Sequence, residues 1–315
     1  MKTNKVLITD SLFIFKEHEQ LLIDAGFEIE RIDKPEPTEE ELVDAINDKV
    51  GYILGGVEHV TEKILANAEQ LKAIVFTGID YKSFIPAWEY ASSKGIAIAN
   101  VPNGPTYAVA EWSITMALAM NRGIFGLGRA GDTTFKTTKG LQAQHVGLVG
   151  FGRIGSTIAK MIKVFEPTTV SYSNRTRRED LERELNVEHK KIEDIFKESD
   201  VVFICIPKSV GEGFIGEELL SLMKSDALLV NITHPGVIDQ KSLLTKLEAG
   251  QFRAVSDHPA TLDGFSKLPL DRWYCFNGGN AFNTFNSIKE TSDKATKSLI
   301  NLLKTGEDEY KVTNS

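Results

Sequence analysis

The chain has 315 residues, 42% of them apolar, and a formal net charge of −8. Length and composition together predict a globular protein of two domains. The acidic balance, with no basic tail, speaks against nucleic acid and anionic membranes as partners.

No stretch is long and apolar enough for a signal peptide or a membrane span, which points to the cytoplasm. In chain order, the first hundred residues alternate strand and helix. Strands are expected at 5–9, 28–32, 52–54, 73–76 and 97–100. Helices are expected at 38–47, where Thr38 and Glu41 have the spacing of a capping box, and at 61–67 and 88–94. This βα order predicts a parallel, doubly wound sheet. A long helix at 107–122, rich in Ala, Met and Leu, reads as buried at a domain junction. Residues 123–143 lack periodicity and read as a connector. A second βα series has strands at 145–150, 169–173, 201–206, 227–232, 254–256 and 274–276, a helix opening at 178–185, and a last helix at 287–303. The polar tail, 305–315, is expected to be mobile. The two cysteines, Cys205 and Cys275, have no metal-ligand spacing and read as buried free thiols of a reducing compartment.

The most informative segment is His145-Val-Gly-Leu-Val-Gly-Phe-Gly-Arg-Ile-Gly155, a strand running into Gly150, Gly152 and Gly155 and then into a helix. The first glycine permits the tight turn, the second lets a pyrophosphate approach the backbone, and the third lets helix and strand pack closely. Arg153 and Ile154 open the helix, whose N-terminus offers N–H groups and partial positive charge to phosphates. A site for NAD places an acid about 20 residues on, at the end of the next strand, to hold the ribose 2′-hydroxyl. Here Ser173 and Asn174 stand there, followed by Arg175, Arg177 and Arg178. A hydroxyl with guanidinium groups attracts a 2′-phosphate that a carboxylate would repel. NADP(H) is therefore expected over NAD(H), with Arg175 as the phosphate ligand; Arg177 and Arg178 could equally be solvated residues of the following helix.

From this point the residues resemble the D-isomer-specific 2-hydroxyacid dehydrogenase family. Leu71-Lys72, Gly95-Ile96, Asn100-Val-Pro102, Ala108-Val-Ala-Glu111, the glycine loop, Asp200-Val-Val202, Pro207, Leu222-Met-Lys224, Asn231, Gly236-Val-Ile-Asp239 and Gly250 follow in the family's order. The resemblance implies an α/β protein of two doubly wound parallel-sheet domains. A Rossmann-like nucleotide-binding domain at 101–284 would be inserted into a flavodoxin-like substrate domain made of 1–100 and 285–315. It implies a small-molecule substrate held in a cleft between the domains, and a homodimer. It also implies cofactor contacts from Thr106, Pro207, Ile232, Thr233 and Asp257, and substrate contacts from Gly56 and Val57 and from Thr77 and Gly78.

The family's catalytic set is an arginine, an acid and a histidine, and this chain departs at all three. His234 stands in the arginine slot. Leu262 stands in the acid slot, with Asp263 one step away. The histidine slot falls on Gly279, or on Asn277 or Asn280 after a small shift. Asp80 replaces a glycine of the carboxylate-binding loop. His234, Asp263 and Asn280 become the candidate proton-handling residues; His258 is a further candidate, though it reads more readily as packing beside Pro259. His59 and His189 read as surface groups. The expectation is hydride transfer to a small polar substrate other than an ordinary 2-oxo acid, such as an imine or activated alkene. A non-catalytic NADP(H)-binding sensor is the alternative.

Overall fold

The computed structural model describes residues 4–9, 14–34, 36–101, 104–130, 135–275 and 281–312, the side chains of 128–130 aside. The chain divides into two compact units, Met1–Pro105 with Thr284–Ser315, and Thr106–Asn283. Among the described residues no helix is long and apolar enough to cross a membrane.

The first unit holds strands β1 (Lys5–Thr9), β2 (Glu28–Ile32), β3 (Lys49–Leu54), β4 (Ala73–Phe76) and β5 (Ala97–Asn100). They lie in the order β2-β1-β3-β4-β5, every pair parallel. This is the flavodoxin-like order, whose direction of winding reverses between β1 and β3. β3 is buried along its whole length, as a central strand covered on both faces must be. One face is covered by the helix Phe285–Thr305 through Ala295, Leu299 and Leu302. That helix comes so close at Gly51 that an added Cβ would sit 2.8 Å from a Leu303 methyl. The Thr38 box closes as its spacing predicts: Glu41 N–H donates to Thr38 Oγ1 at 3.3 Å, and Thr38 N–H donates to Glu41 Oε2 at 2.7 Å.

The second unit holds β6 (His145–Val149), β7 (Thr169–Ser173), β8 (Glu188–His189), β9 (Val201–Ile204), β10 (Leu228–Asn231), β11 (Arg253–Ser256) and β12 (Trp273–Cys275). Their order is β12-β11-β10-β9-β6-β7-β8, all parallel. Counted from β6, this is the Rossmann order with one strand added, and its winding reverses between β6 and β9. The helix Thr106–Asn121 belongs to this unit and supplies Val109, Ala110, Ile114 and Met120 to its core.

Two expectations fail. The stretch 123–143 is not all connector, since Ile124–Ala130 is helical. The Phe125 ring stacks on Tyr274 with centroids 3.8 Å apart, a contact distant in sequence that local periodicity does not register. The tail is not loose as far as residue 312. Asp308 accepts hydrogen bonds from Ser298 and Asn301, Val312 N–H donates to Ile98 O at 2.7 Å, and Lys311 forms an antiparallel bridge to Ala99. Polar side chains here serve docking, which composition alone misreads.

Candidate functional site

The glycine loop connects β6 to the helix Arg153–Ile162 at the point where the sheet reverses. Its three glycines meet different constraints. Gly150 has φ +97°, and a Cβ there would lie 2.6 Å from the Cys205 carbonyl oxygen. A Cβ on Gly155 would lie 2.3 Å from Gly150 O. Gly152, the N-cap, has φ −80° and ψ −156°, which any residue can adopt, and nothing lies within 4 Å of an added Cβ. The fold therefore requires Gly150 and Gly155, whereas the empty space beside Gly152 answers to no packing need. The N–H groups of Gly152, Ile154 and Gly155 have no acceptor among the described residues. Replacing Gly150 with alanine is expected to destabilise the protein by about 2–5 kcal/mol, from left-handed strain plus displacement of the Cys205 backbone. An unchanged denaturant midpoint would contradict this account of the turn.

Past the end of β7, Asn174 ties this strand to the loop. Its Oδ1 accepts from Phe151 N–H at 3.2 Å, and its Nδ2 donates to Thr176 O at 2.8 Å. Arg177 is committed to Glu182 through two bonds of 2.8 Å, and Arg178 pairs with Asp180. Glu182, which also accepts from the Tyr172 hydroxyl, is held down at about 2, first by Arg177 and then by Tyr172. Arg175 is exposed and has no ion pair among the described residues. An open pocket of about 690 Å³ brings Ser173, Asn174, Arg175 and Pro207 together with apolar Ile206 and Val210.

At the C-terminal end of β10, Asn231 closes a tight turn by accepting from Thr233 N–H at 3.2 Å and from Thr233 Oγ1 at 2.8 Å. Ile232 is buried between them. His234 follows, and its Nδ1 accepts from Gly236 N–H at 3.1 Å. That bond requires Nδ1 to be unprotonated, so the neutral ring carries its proton on Nε2. Burial, then Lys208 and His258, lower the His234 pKa, opposed only by Glu212. In this arrangement His234 is a donor through Nε2–H.

Of the expected proton-handling set, His234 and Asp263 lie among the described residues. Asn280, with Asn277 and Gly279, lies outside the described residues. Asp263 is exposed and lines a separate pocket with Leu262, Trp273 and Cys275. Asp257 is buried, and its Oδ1 accepts from Ala281 N–H at 3.0 Å. His258 Nε2 lies 3.9 Å from the other oxygen of Asp257. Thr106 opens its helix with an Oγ1 that is buried and lacks a hydrogen-bond partner among the described residues. The two thiols are free and half-buried. Burial raises both, Cys275 to about 11, so neither is a ready nucleophile.

In the first unit the turn Gly55–Val57 follows β3, at the other sheet's reversal point. Gly55 N–H donates to Thr9 Oγ1 at 3.3 Å, while the N–H groups of Gly56 and Val57 have no acceptor among the described residues. The Thr77 hydroxyl donates to Leu54 O at 3.2 Å and its side chain is buried, so it has little to offer a ligand; Gly78 is half-buried beside it. Asp80 is exposed and accepts from Ser83 Oγ at 2.6 Å. Sequence reasoning missed three residues. Glu58, next in sequence after the Gly55–Val57 turn, is 3% exposed and accepts from the Tyr52 hydroxyl at 2.7 Å. Lys208 and Glu212 follow β9 beside His234. Their signal was charge in a loop just after Pro207, which reads equally as a solvated turn.

The family model for the D-isomer specific 2-hydroxyacid dehydrogenase NAD binding domain matches residues 114–273. Glyoxylate reductase of Pyrococcus furiosus is 30% identical over 279 residues, covering 84% of this chain and 80% of that protein. A solved protein of Thermus thermophilus has a TM-score of 0.84 at 25% identity, over 98% of this chain and 100% of that one. An acyclic imino acid reductase, solved with NADPH and D-arginine, has a TM-score of 0.82 at 21% identity, over 98% and 100%, a likeness of fold alone. The matched segment contains the glycine loop, so the cofactor is a nicotinamide dinucleotide. With its two parallel sheets and this match over half its length, the chain belongs to the D-isomer-specific 2-hydroxyacid dehydrogenase family.

Proposed function

We propose that the protein is an NADPH-dependent reductase of the D-2-hydroxyacid dehydrogenase type, acting on a small polar substrate other than an ordinary 2-oxo acid. The observation that carries this reading is the neutral His234, which presents an Nε2–H donor where the family pattern puts a permanent cation. A neutral donor is poorly suited to clamp a carboxylate. A C=N bond or a conjugated alkene suits such surroundings better than a carboxylate-bearing ketone.

For the cofactor, the loop N–H groups and the space beside Gly152 would take the pyrophosphate. Ser173, Asn174 and Arg175 would take the ribose and its 2′-phosphate, and Pro207, Ile206 and Val210 the adenine side. The unsatisfied Thr106 hydroxyl, Ile232, Thr233 and Asp257 fall to the nicotinamide half. The dihydronicotinamide, when bound, supplies the hydride; the chain must orient the partners, exclude water and manage a proton. His234 would orient the acceptor atom through Nε2–H, on a ring fixed by Gly236.

The test is calorimetric titration with NADPH and NADH, then a screen of 2-oxo acids, imines and enoates followed by NADPH absorbance. The expected result is tight NADPH binding with turnover on imines or enoates above that on glyoxylate or pyruvate. His234→Ala should lower that turnover by about 10-fold or more with NADPH affinity unchanged, the value of one positioned hydrogen bond. Ordinary turnover of pyruvate would overturn the substrate assignment. Tight binding with no turnover at all would favour a non-catalytic sensor.

A further inference from the structure

The loops after β9, β10 and β11 converge at the C-terminal ends of three neighbouring strands, where ligands of doubly wound sheets bind. Across residues 205–216, 232–239 and 257–264 there is one lysine or arginine, Lys208, against the acids Glu212, Asp239, Asp257 and Asp263. The position 234 that should carry a cation does not carry one. Two of these loops are clasped together: Gly213 N–H donates to Gly236 O at 2.7 Å, and Ile215 N–H to Val237 O at 2.9 Å. The Glu212 carboxylate reaches so close to Gly236 that an added Cβ would meet it, which fixes the β9 loop against the residues just after His234.

Lys208 is exposed, has no ion pair among the described residues, and lies on the loop that these bonds hold against the turn just after His234. Glu212, four residues on, does not neutralise it. Asp257 is turned to Ala281 N–H, and Asp239 caps the next helix by accepting from Ser242 N–H.

We propose that Lys208 supplies the cation missing from position 234: its ammonium donates to the heteroatom of the substrate's reducible double bond, beside the neutral His234 donor. The role rests on the reductase reading above and narrows it to substrates whose acceptor atom, an oxygen or nitrogen, gathers negative charge as the bond is reduced. A stemmed ammonium reaches one atom as a point charge, whereas a guanidinium grips a carboxylate in two places. The site therefore keeps the charge stabilisation of the reaction centre while giving up the planar clamp.

The experiment uses the full chain, with Lys208→Met and Lys208→Arg. The His234 titration is followed by NMR in histidine-labelled protein. NADPH affinity is measured by calorimetry, and turnover with 1-pyrroline, an imine that carries no carboxylate. In Lys208→Met the His234 midpoint should rise by about half a pH unit as a neighbouring positive charge is lost. Turnover should fall at least about 30-fold, the value of a charged hydrogen bond. NADPH affinity should stay within about twofold, a negligible free energy, and Lys208→Arg should recover most of both losses. An unmoved His234 midpoint overturns the proposal whatever the turnover does. So does a moved midpoint with full turnover, or a fall in NADPH affinity that matches the loss of rate, which would make Lys208 a cofactor contact. Absence of turnover in the parent protein overturns the reductase reading itself, a result visible before any variant is made.

Discussion

Replacing Gly152 with valine is expected to abolish dinucleotide binding while leaving the protein folded. The two halves of this result come from separate observations. The N-cap backbone is extended, a conformation valine favours, and an added Cβ meets no atom within 4 Å. Stability should therefore change by no more than about 0.5 kcal/mol, as for other substitutions without a packing consequence. The same empty space lies beside the uncommitted N–H groups of the loop. Branched methyls there would hold a pyrophosphate off the backbone and the helix N-terminus. NADPH and NADH affinities should both drop at least about 100-fold, a loss of about 3 kcal/mol. Thermal unfolding and calorimetry on one preparation decide it. Unchanged affinity would mean that the space beside Gly152 is not where phosphate approaches. A lost fold would mean that the glycine is structural after all.

Replacing Arg175 with alanine is the second large effect, and it should separate the two nucleotides. Of the three arginines after β7, Arg177 and Arg178 are already held by Glu182 and Asp180, which leaves Arg175 for a ligand. A charged hydrogen bond to the 2′-phosphate is worth about 1.5–3 kcal/mol, or about 10- to 100-fold in affinity. NADPH binding should weaken by that factor and NADH binding by less than about threefold. Because Arg175 is exposed, the preference should shrink as salt is raised. Equal weakening of both nucleotides would remove the NADP(H) assignment.

The parts of this molecule legible in the sequence are those whose constraints are local. Gly155 is forced by the Gly150 carbonyl of the same short turn, and Gly150 by the left-handed backbone that the turn itself requires. The Thr38 box closes over four residues, and the buried strands read as apolar runs. The helix Ile124–Ala130 escaped because Phe125 finds its partner at Tyr274, in the outermost strand of the sheet. Glu58 escaped because nothing in Gly-Gly-Val-Glu reveals that Tyr52 and Thr9 enclose the carboxylate's surroundings. The sequence pointed to His234 but not to its protonation, which depends on Gly236 N–H and on a lysine from another loop. Asp263 stands one residue from the position where the family pattern puts an acid, a spacing that carries no information on the pocket it lines with Leu262, Trp273 and Cys275.

The docked tail has a consequence for the exposed rim of the first sheet. A parallel sheet ends in strands whose outer N–H and C=O groups are templates for another chain. β8 and β12 are two and three residues long, too short to recruit much. β2 alternates charged residues along Glu28-Ile-Glu-Arg-Ile32, which repel a flat partner. β5, apolar and neutral as Ala97-Ile-Ala-Asn100, has neither defence, and it is the strand that Tyr310, Lys311 and Val312 cover. Trimming the chain before residue 310 would strip that cover and leave a sticky rim, so the last residues act as a guard against aggregation rather than as a loose end.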